Sequence, residues 1–186
     1  MTRQAKPWLT LAVWAVLGAA VSPSQAEGPA RLRVLILCTG NSARSQMTEG
    51  FLRSLDSRLE VHSAGTKPAP RVNPFAIQAM KEIGIDISSG QPKSVEGYLG
   101  QSFDFVITVC DDADKNCPRF SGKVGRRLHL GFPDPAKATG TDEQKLAVFR
   151  TVRDDIRTRF TALYRSELAP ALAAKQAASS QQNRTN

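Results

Sequence analysis

Leu32-Arg33-Val34-Leu35-Ile36-Leu37-Cys38-Thr39-Gly40-Asn41-Ser42-Ala43-Arg44-Ser45 is the stretch on which the reading of this chain turns. Its first six residues form an almost unbroken apolar run of strand length, as expected of a central strand covered on both faces, and a parallel sheet is the natural host. The next segment, from about Ser42 to Leu55, is helical in composition, and Leu59 to His62 returns as a second short strand. One βαβ unit is thereby predicted.

Between that strand and that helix stand a cysteine and an arginine with five residues between them. A strand-to-helix turn of this length curls its backbone amides toward one point, and the helix terminus adds positive potential there, so the turn Thr39-Gly40-Asn41-Ser42-Ala43 is a candidate cradle for an oxyanion. The same field favours a thiolate, which predicts a depressed pKa for Cys38 and a nucleophilic role. Arg44 offers a planar, permanently charged fork matched to two oxygens of a tetrahedral anion. Ser45 is placed to donate a hydrogen bond to the Cys38 sulfur. For a lone cysteine after a strand, burial as a small hydrophobe is the commoner explanation; the arginine at this spacing and Gly40 in the turn reverse that preference.

Outward from this unit, Asn73-Pro74 reads as a helix start and Gly84 as its stop, with Ala76, Ala79, Met80 and Ile83 on one face. Phe105 to Val109 is a further buried strand that delivers Cys110 at its carboxyl end, and Arg127 to Leu130 has room for a fourth. From about Asp142, the residues Leu146, Phe149, Val152, Ile156, Phe160 and Leu163 recur at spacings of three and four, the stripe of a helix packed on a sheet. The prediction is an α/β fold: a single doubly wound domain over 27–168, with a four-stranded parallel sheet flanked by helices and its chemistry beyond the carboxyl ends of the strands.

The ends of the chain read differently. Arg3 and Lys6 precede an apolar run from Trp8 to Val21, and Ser24-Gln25-Ala26 places small residues where a signal peptidase reads, so 1–26 is expected to be a cleavable secretory leader. The run is shorter than the roughly 20 residues that span a bilayer, and no stable membrane association is expected after cleavage. Residues 169–186 are rich in Ala, Gln, Ser and Asn and are expected to run into disorder. The net charge is +8, but the basic residues are scattered without interleaved aromatics, which argues against nucleic acid and suits a small anionic substrate.

Three cysteines leave at least one thiol unpaired in any disulfide-bonded state. Cys110 and Cys117 flank a polar segment, Asp111 to Asn116, able to change shape, and this suits a thiol relay from Cys38. A structural Cys110–Cys117 disulfide is one alternative. A metal site with His129 or His62 is another, although the tight ligand pairs of zinc sites are missing. Neither a metal nor a cofactor is expected. Asp134, before Pro135, is the candidate general acid.

Cys38 to Gly50, C-T-G-N-S-A-R-S-Q-M-T-E-G, resembles the signature of thioredoxin-coupled arsenate reductases, which share their fold with low-molecular-weight protein tyrosine phosphatases. The likeness continues through Ser63-Ala64-Gly65-Thr66, Asn73-Pro74, Ala79-Met80-Lys81-Glu82, Val109-Cys110-Asp111, Asn116-Cys117-Pro118 and Asp134-Pro135-Ala136. It implies that Cys38 attacks arsenic, Cys110 then attacks Cys38 so that arsenite leaves, and Cys117 attacks Cys110 to form a disulfide that a thioredoxin-like partner reduces. A monomer is expected. A phosphatase acting on phosphate esters, or an exported oxyanion-binding protein without turnover, would use the same cradle. The tyrosine pair that follows Asp-Pro in the phosphatase branch is replaced here by Ala136-Lys137, which weakens the phosphotyrosine alternative. Some relatives bind potassium near the cradle through Asn, Glu, Ser and Asp. Asn41, Glu49 and Ser63 match, Lys93 stands where the Asp would align, and no potassium dependence is therefore expected. An exported relay implies a reductant in an oxidising compartment, the periplasm.

Overall fold

The computed structural model describes residues 30–185; the leader read at 1–26 lies outside them. Four parallel strands form one sheet: β1 (Leu32–Cys38), β2 (Leu59–Gly65), β3 (Phe103–Thr108) and β4 (Val124–His129), in the order β2-β1-β3-β4. β1 is central, paired with β2 from Leu32↔Leu59 to Cys38↔Gly65 and with β3 from Val34↔Phe105 to Leu37↔Thr108. Because side chains alternate along a strand, β1 feeds two separate cores. Leu32, Val34, Ile36 and Cys38 point into the larger one, with Met47, Phe51 and Leu52 of α1 (Arg44–Leu55), Ala76, Ala79 and Met80 of α2 (Pro74–Lys81), and the stripe of α4 (Asp142–Leu163). Leu35 and Leu37 point into a smaller core closed by Val95 of a 3-10 turn (Val95–Tyr98), Phe103 and Val106 of β3, and the partly buried Cys117 and Phe120. The doubly wound sheet is thus covered by long helices on one face and by a turn and a loop on the other.

The helix boundaries follow local chemistry. Asn73 Oδ1 accepts from the amide of Phe75 at 2.9 Å, with Pro74 at the first helical position, and the chain leaves α2 through Gly84 at φ 78°, where a side chain would be strained. Thr141 and Gln144 form a reciprocal capping box that starts α4. Leu146, Phe149, Val152, Ile156 and Phe160 are all buried, as their spacing predicts. β2 and β4 are longer than the apolar runs that marked them, since sheet pairing recruits Ser63-Ala64-Gly65 and Val124 to Arg126 regardless of polarity.

The C-terminal segment corrects an expectation. After a π-helical turn (Tyr164–Leu168) the chain continues as α5 (Ala169–Thr185) rather than running into disorder. Leu168 and Leu172 are buried in the main core, and Lys175 Nζ lies 2.7 Å from Asp104 Oδ2. One apolar residue per turn and an ion pair suffice to dock an alanine-rich helix whose composition alone resembles a tail.

Candidate active site

The turn from Cys38 to Ala43 leaves the carboxyl end of β1 and enters α1, and its carbonyls are drawn outward. The amides of Thr66, Lys67, Ala69 and Asn73 donate to the carbonyls of Cys38, Thr39, Gly40 and Ser42 at 2.8–3.2 Å. α1 begins without a side-chain cap and without an acidic residue in its first turn, so its leading amides stay available. The turn packs tightly against the end of β2: a Cβ at Gly65 would lie 2.5 Å from the Thr39 carbonyl oxygen, so only glycine fits.

Asn41 is the internal brace. It sits at φ 48° and is fully buried, with Nδ2 donating to Ser45 Oγ (2.9 Å) and Ser63 Oγ (2.7 Å), and Oδ1 accepting from the amide of Lys93 (2.8 Å). Ser63 donates onward to Glu49, which pairs with Arg53 at 2.6 Å and stands 3.8 Å from Lys93 Nζ. Asn41 and Ser45 therefore lie behind the turn, and the cleft of about 430 Å³ on its front is lined by Cys38, Thr39, Gly40, Ser42, Ala43 and Arg44. Ser45 accepts from Asn41, and no hydrogen bond from it to Cys38 is formed, contrary to the sequence expectation.

Arg44 projects from the first turn of α1 into the cleft floor. Its Nη1 donates to the Phe132 carbonyl at 3.0 Å and its Nη2 stands 3.3 Å from Asp134 Oδ2, yet its Nε is buried with no partner. Among the described residues it is the one buried side-chain nitrogen or oxygen left unsatisfied. A buried unpaired donor is costly, and an anion in the cleft would satisfy it. Phe132 is itself fixed from behind, stacked on Phe160 of α4 and covered by Arg159, whose guanidinium lies 4.5 Å from its ring centroid. Asp134 caps a short 3-10 turn (Pro135–Lys137) through the amide of Ala136, and Lys137 completes the rim.

Cys110, at the carboxyl end of β3, opens onto the same cleft, with Thr39 Oγ1 3.4 Å from its sulfur. Cys38 and Cys110 are both free thiols and line the same cleft. The acidification expected of Cys38 alone is a property of the two sulfurs together, which lie in one field. The Cys110 sulfur is lowered to about 5, first by the hydrogen bond from Cys38 and then by Thr39, the Ala113 amide and Arg44, against burial. Cys38 is pushed up by its donation to Cys110, by burial and by the charge on Cys110, while Arg44 and the Gly40 amide pull the other way. Two adjacent thiols in one positive field retain one proton between them, so the pair carries a single negative charge.

Cys117 does not reach the cleft. The segment Asp111 to Lys115 is a short helix, α3, with Cys110 at its N-cap, and Cys117 emerges on the far flank against the smaller core. Its sulfur accepts from Arg127 Nη1 at 3.1 Å. Thr108 Oγ1 donates to Asp114 (2.8 Å) and lies 2.8 Å from His129 Nδ1, and His129 also stands 3.4 Å from Asp111, so both ends of α3 are held to the sheet. No cluster of three metal-binding side chains occurs among the described residues. The sequence reading missed Phe132, Lys137 and Arg127: the first acts through its carbonyl, and the other two become informative only once β4 and the Asp134 loop are placed.

Comparison with known proteins agrees with this geometry. The family model of low molecular weight phosphotyrosine protein phosphatases matches residues 33–178. An arsenate reductase of Halalkalibacterium halodurans is 50% identical over 127 residues, covering 68% of this chain and 90% of that protein. The chain belongs to the arsenate reductase branch of this phosphatase family. A solved arsenate reductase in the phosphate binding state is 34% identical, with a TM-score of 0.60 over 71% of this chain and 95% of that one. The thioredoxin-dependent arsenate reductase of Corynebacterium glutamicum is 26% identical, with a TM-score of 0.52 over 73% of this chain and 60% of that one. Family membership accounts for a cradle, a cysteine and an arginine at the end of β1; the second sulfur beside them is what the phosphatase reaction does not require.

Proposed function

We propose that this protein reduces arsenate to arsenite through a relay of Cys38, Cys110 and Cys117, and that a thioredoxin-like dithiol regenerates it. The observation that carries the reading is that Cys110 lines the same cleft as Cys38, beside an arginine whose buried Nε lacks an acceptor.

Arsenate enters the ring of amides and satisfies Arg44. Cys38 bonds to arsenic while the pair's one proton passes toward Cys110, and an oxygen departs as water with a proton from Asp134. Cys110 next gives up that proton to an oxygen on arsenic and attacks the Cys38 sulfur as a thiolate: the sulfur–sulfur bond forms, the sulfur–arsenic bond breaks, and its electron pair stays with arsenic, which leaves as arsenite. Cys117 then attacks Cys110 and Cys38 departs as a thiolate into the field of Arg44. This last step requires α3 to unwind. With α3 intact, Cys117 packs against the smaller core and away from the cleft that Cys110 lines, whereas bonded cysteines keep their Cα atoms within about 7 Å.

The test is multiple turnover. With arsenate and a thioredoxin system, the wild type is expected to release arsenite continuously, Cys117→Ser to stop after about one equivalent, and Cys110→Ser to release none. Continuous release by Cys117→Ser would refute the relay.

Phosphate-ester hydrolysis is a second reading, favoured because Cys38, Arg44 and Asp134 form a complete set without the other sulfurs. It predicts that hydrolysis of an aryl phosphate survives Cys117→Ser. The leader at 1–26 supports an exported, periplasmic enzyme with a periplasmic donor, and a monomer is proposed. The Lys93 ammonium beside Glu49 supports activity without added potassium.

A further inference from the structure

Cys117 has to act as a thiolate, since the thiol form does not exchange with disulfides. Its surroundings oppose that charge. The sulfur packs against an apolar cluster of Leu35, Leu37, Phe103 and Val106, and burial is the largest influence on it, raising its pKa; Asp114 on α3 acts in the same direction. Tyr98, in the same cluster, is kept neutral first by burial and then by the charge of Glu49. One cation opposes these influences: Arg127 of β4, whose Nη1 donates to the sulfur at 3.1 Å.

The arginine is held for that contact. Its backbone pairs with Val106 in the sheet, and its guanidinium lies over the Phe120 ring at 5.1 Å from the centroid, so one face is covered by the aromatic ring while an edge meets the sulfur. Asp114, the carboxylate that opposes a charge on Cys117, is itself engaged by Thr108.

We infer that Arg127 readies Cys117 for the second exchange: its guanidinium holds the sulfur on the flank of the sheet and favours the thiolate that attacks Cys110. In that step the Cys117 thiolate bonds to Cys110 Sγ, the Cys38–Cys110 bond breaks, and Cys38 leaves as a thiolate beside Arg44. The number of electrons is unchanged, and no other oxidant enters. The long Arg127 side chain can follow the sulfur as α3 unwinds, so the charge is compensated along the path. The inference rests on the proposed relay, and it concerns a residue that touches a reacting atom without touching arsenate.

The experiment uses the full chain carrying Cys38→Ser and Cys110→Ser, so that Cys117 is the single thiol, and follows its alkylation rate by iodoacetamide against pH. Arg127→Gln, which removes the positive charge while keeping a polar side chain, is expected to raise the midpoint by about 0.5–1 pH unit, and Arg127→Lys to fall between the two. In the three-cysteine enzyme, the rising limb of thioredoxin-coupled turnover should move to higher pH by the same amount with Arg127→Gln. A midpoint unchanged by glutamine would overturn the inference. So would a turnover profile that stays in place while the midpoint moves; in that case continued activity of Cys117→Ser would locate the fault in the relay rather than in Arg127.

Discussion

Arg44 and Cys110 carry the two residue-level predictions. Arg44 Nε is a buried donor without an acceptor, while its terminal nitrogens are held by Phe132 and Asp134. Lysine cannot reproduce that three-way engagement, and Arg44→Lys should lower kcat/KM for arsenate by roughly 100-fold, the scale of losing one preorganised donor to a developing oxyanion. The shared proton gives a signature in pH. In the folded protein Cys110 titrates near 5, against an ordinary value of 9.0, while Cys38 is raised. Between those limits the unfolded chain binds one more proton than the native pair, so the pair's contribution to stability grows as pH rises from about 5 to 9.0 and is lost as pH falls back through 5. Above 9.0 the sign reverses, because the unfolded thiols ionise while Cys38 keeps its proton. Iodoacetamide should alkylate one cleft thiol at pH 6, and Cys38→Ala should move that midpoint up toward the ordinary value by removing its largest cause. An unmoved midpoint would show that Cys110 is acidified by the cradle alone. The nucleophile and its arginine were legible from spacing. The placing of Cys110 beside them was not, because it brings together residues 72 positions apart in sequence.

At the scale of elements, α3 decides the order of events. Its five residues and Asn116 separate Cys110 from Cys117, and Thr108 and His129 hold it against β3 and β4. Thr108→Val keeps the shape of a buried side chain but removes its hydroxyl, and is expected to lower stability by about 1 kcal/mol. It should also speed formation of the Cys110–Cys117 disulfide after one equivalent of arsenate, measured by rapid acid quench and mass analysis. Slower or unchanged formation would mean that α3 is not the barrier. The sequence marked this segment as polar and able to change shape, but its helical state is fixed by the Ala113 side chain buried in the main core and by the bond from Thr108 to Asp114. The strands and the amphipathic α4 were readable because burial imposes a period on the residues themselves. β4 was less so, since four of its six residues are polar, charged or glycine, and its place comes from backbone pairing with β3.

For the molecule as a whole, the two ends of the chain give separate tests. Deleting 170–186 removes Leu172 from the main core and Lys175 from Asp104; a loss of about 2–3 kcal/mol in chemical denaturation is expected from the leucine, with arsenate turnover retained. If 1–26 is a leader, the protein recovered from a periplasmic extract should begin at Glu27, as read by intact mass, and a full-length mass would refute export by this route. The sequence by itself determined the doubly wound parallel sheet, the oxyanion turn at the end of β1 and the three candidate sulfurs, because strand runs, helical periods and the Cys38–Arg44 spacing are local patterns. The fold alone brings Cys110 onto the cleft of Cys38, sets Cys117 on the opposite flank beside Arg127, and docks the alanine-rich end as a helix. Those outcomes depend on groups brought together across the sheet, where burial and charge act through distance in space rather than along the chain.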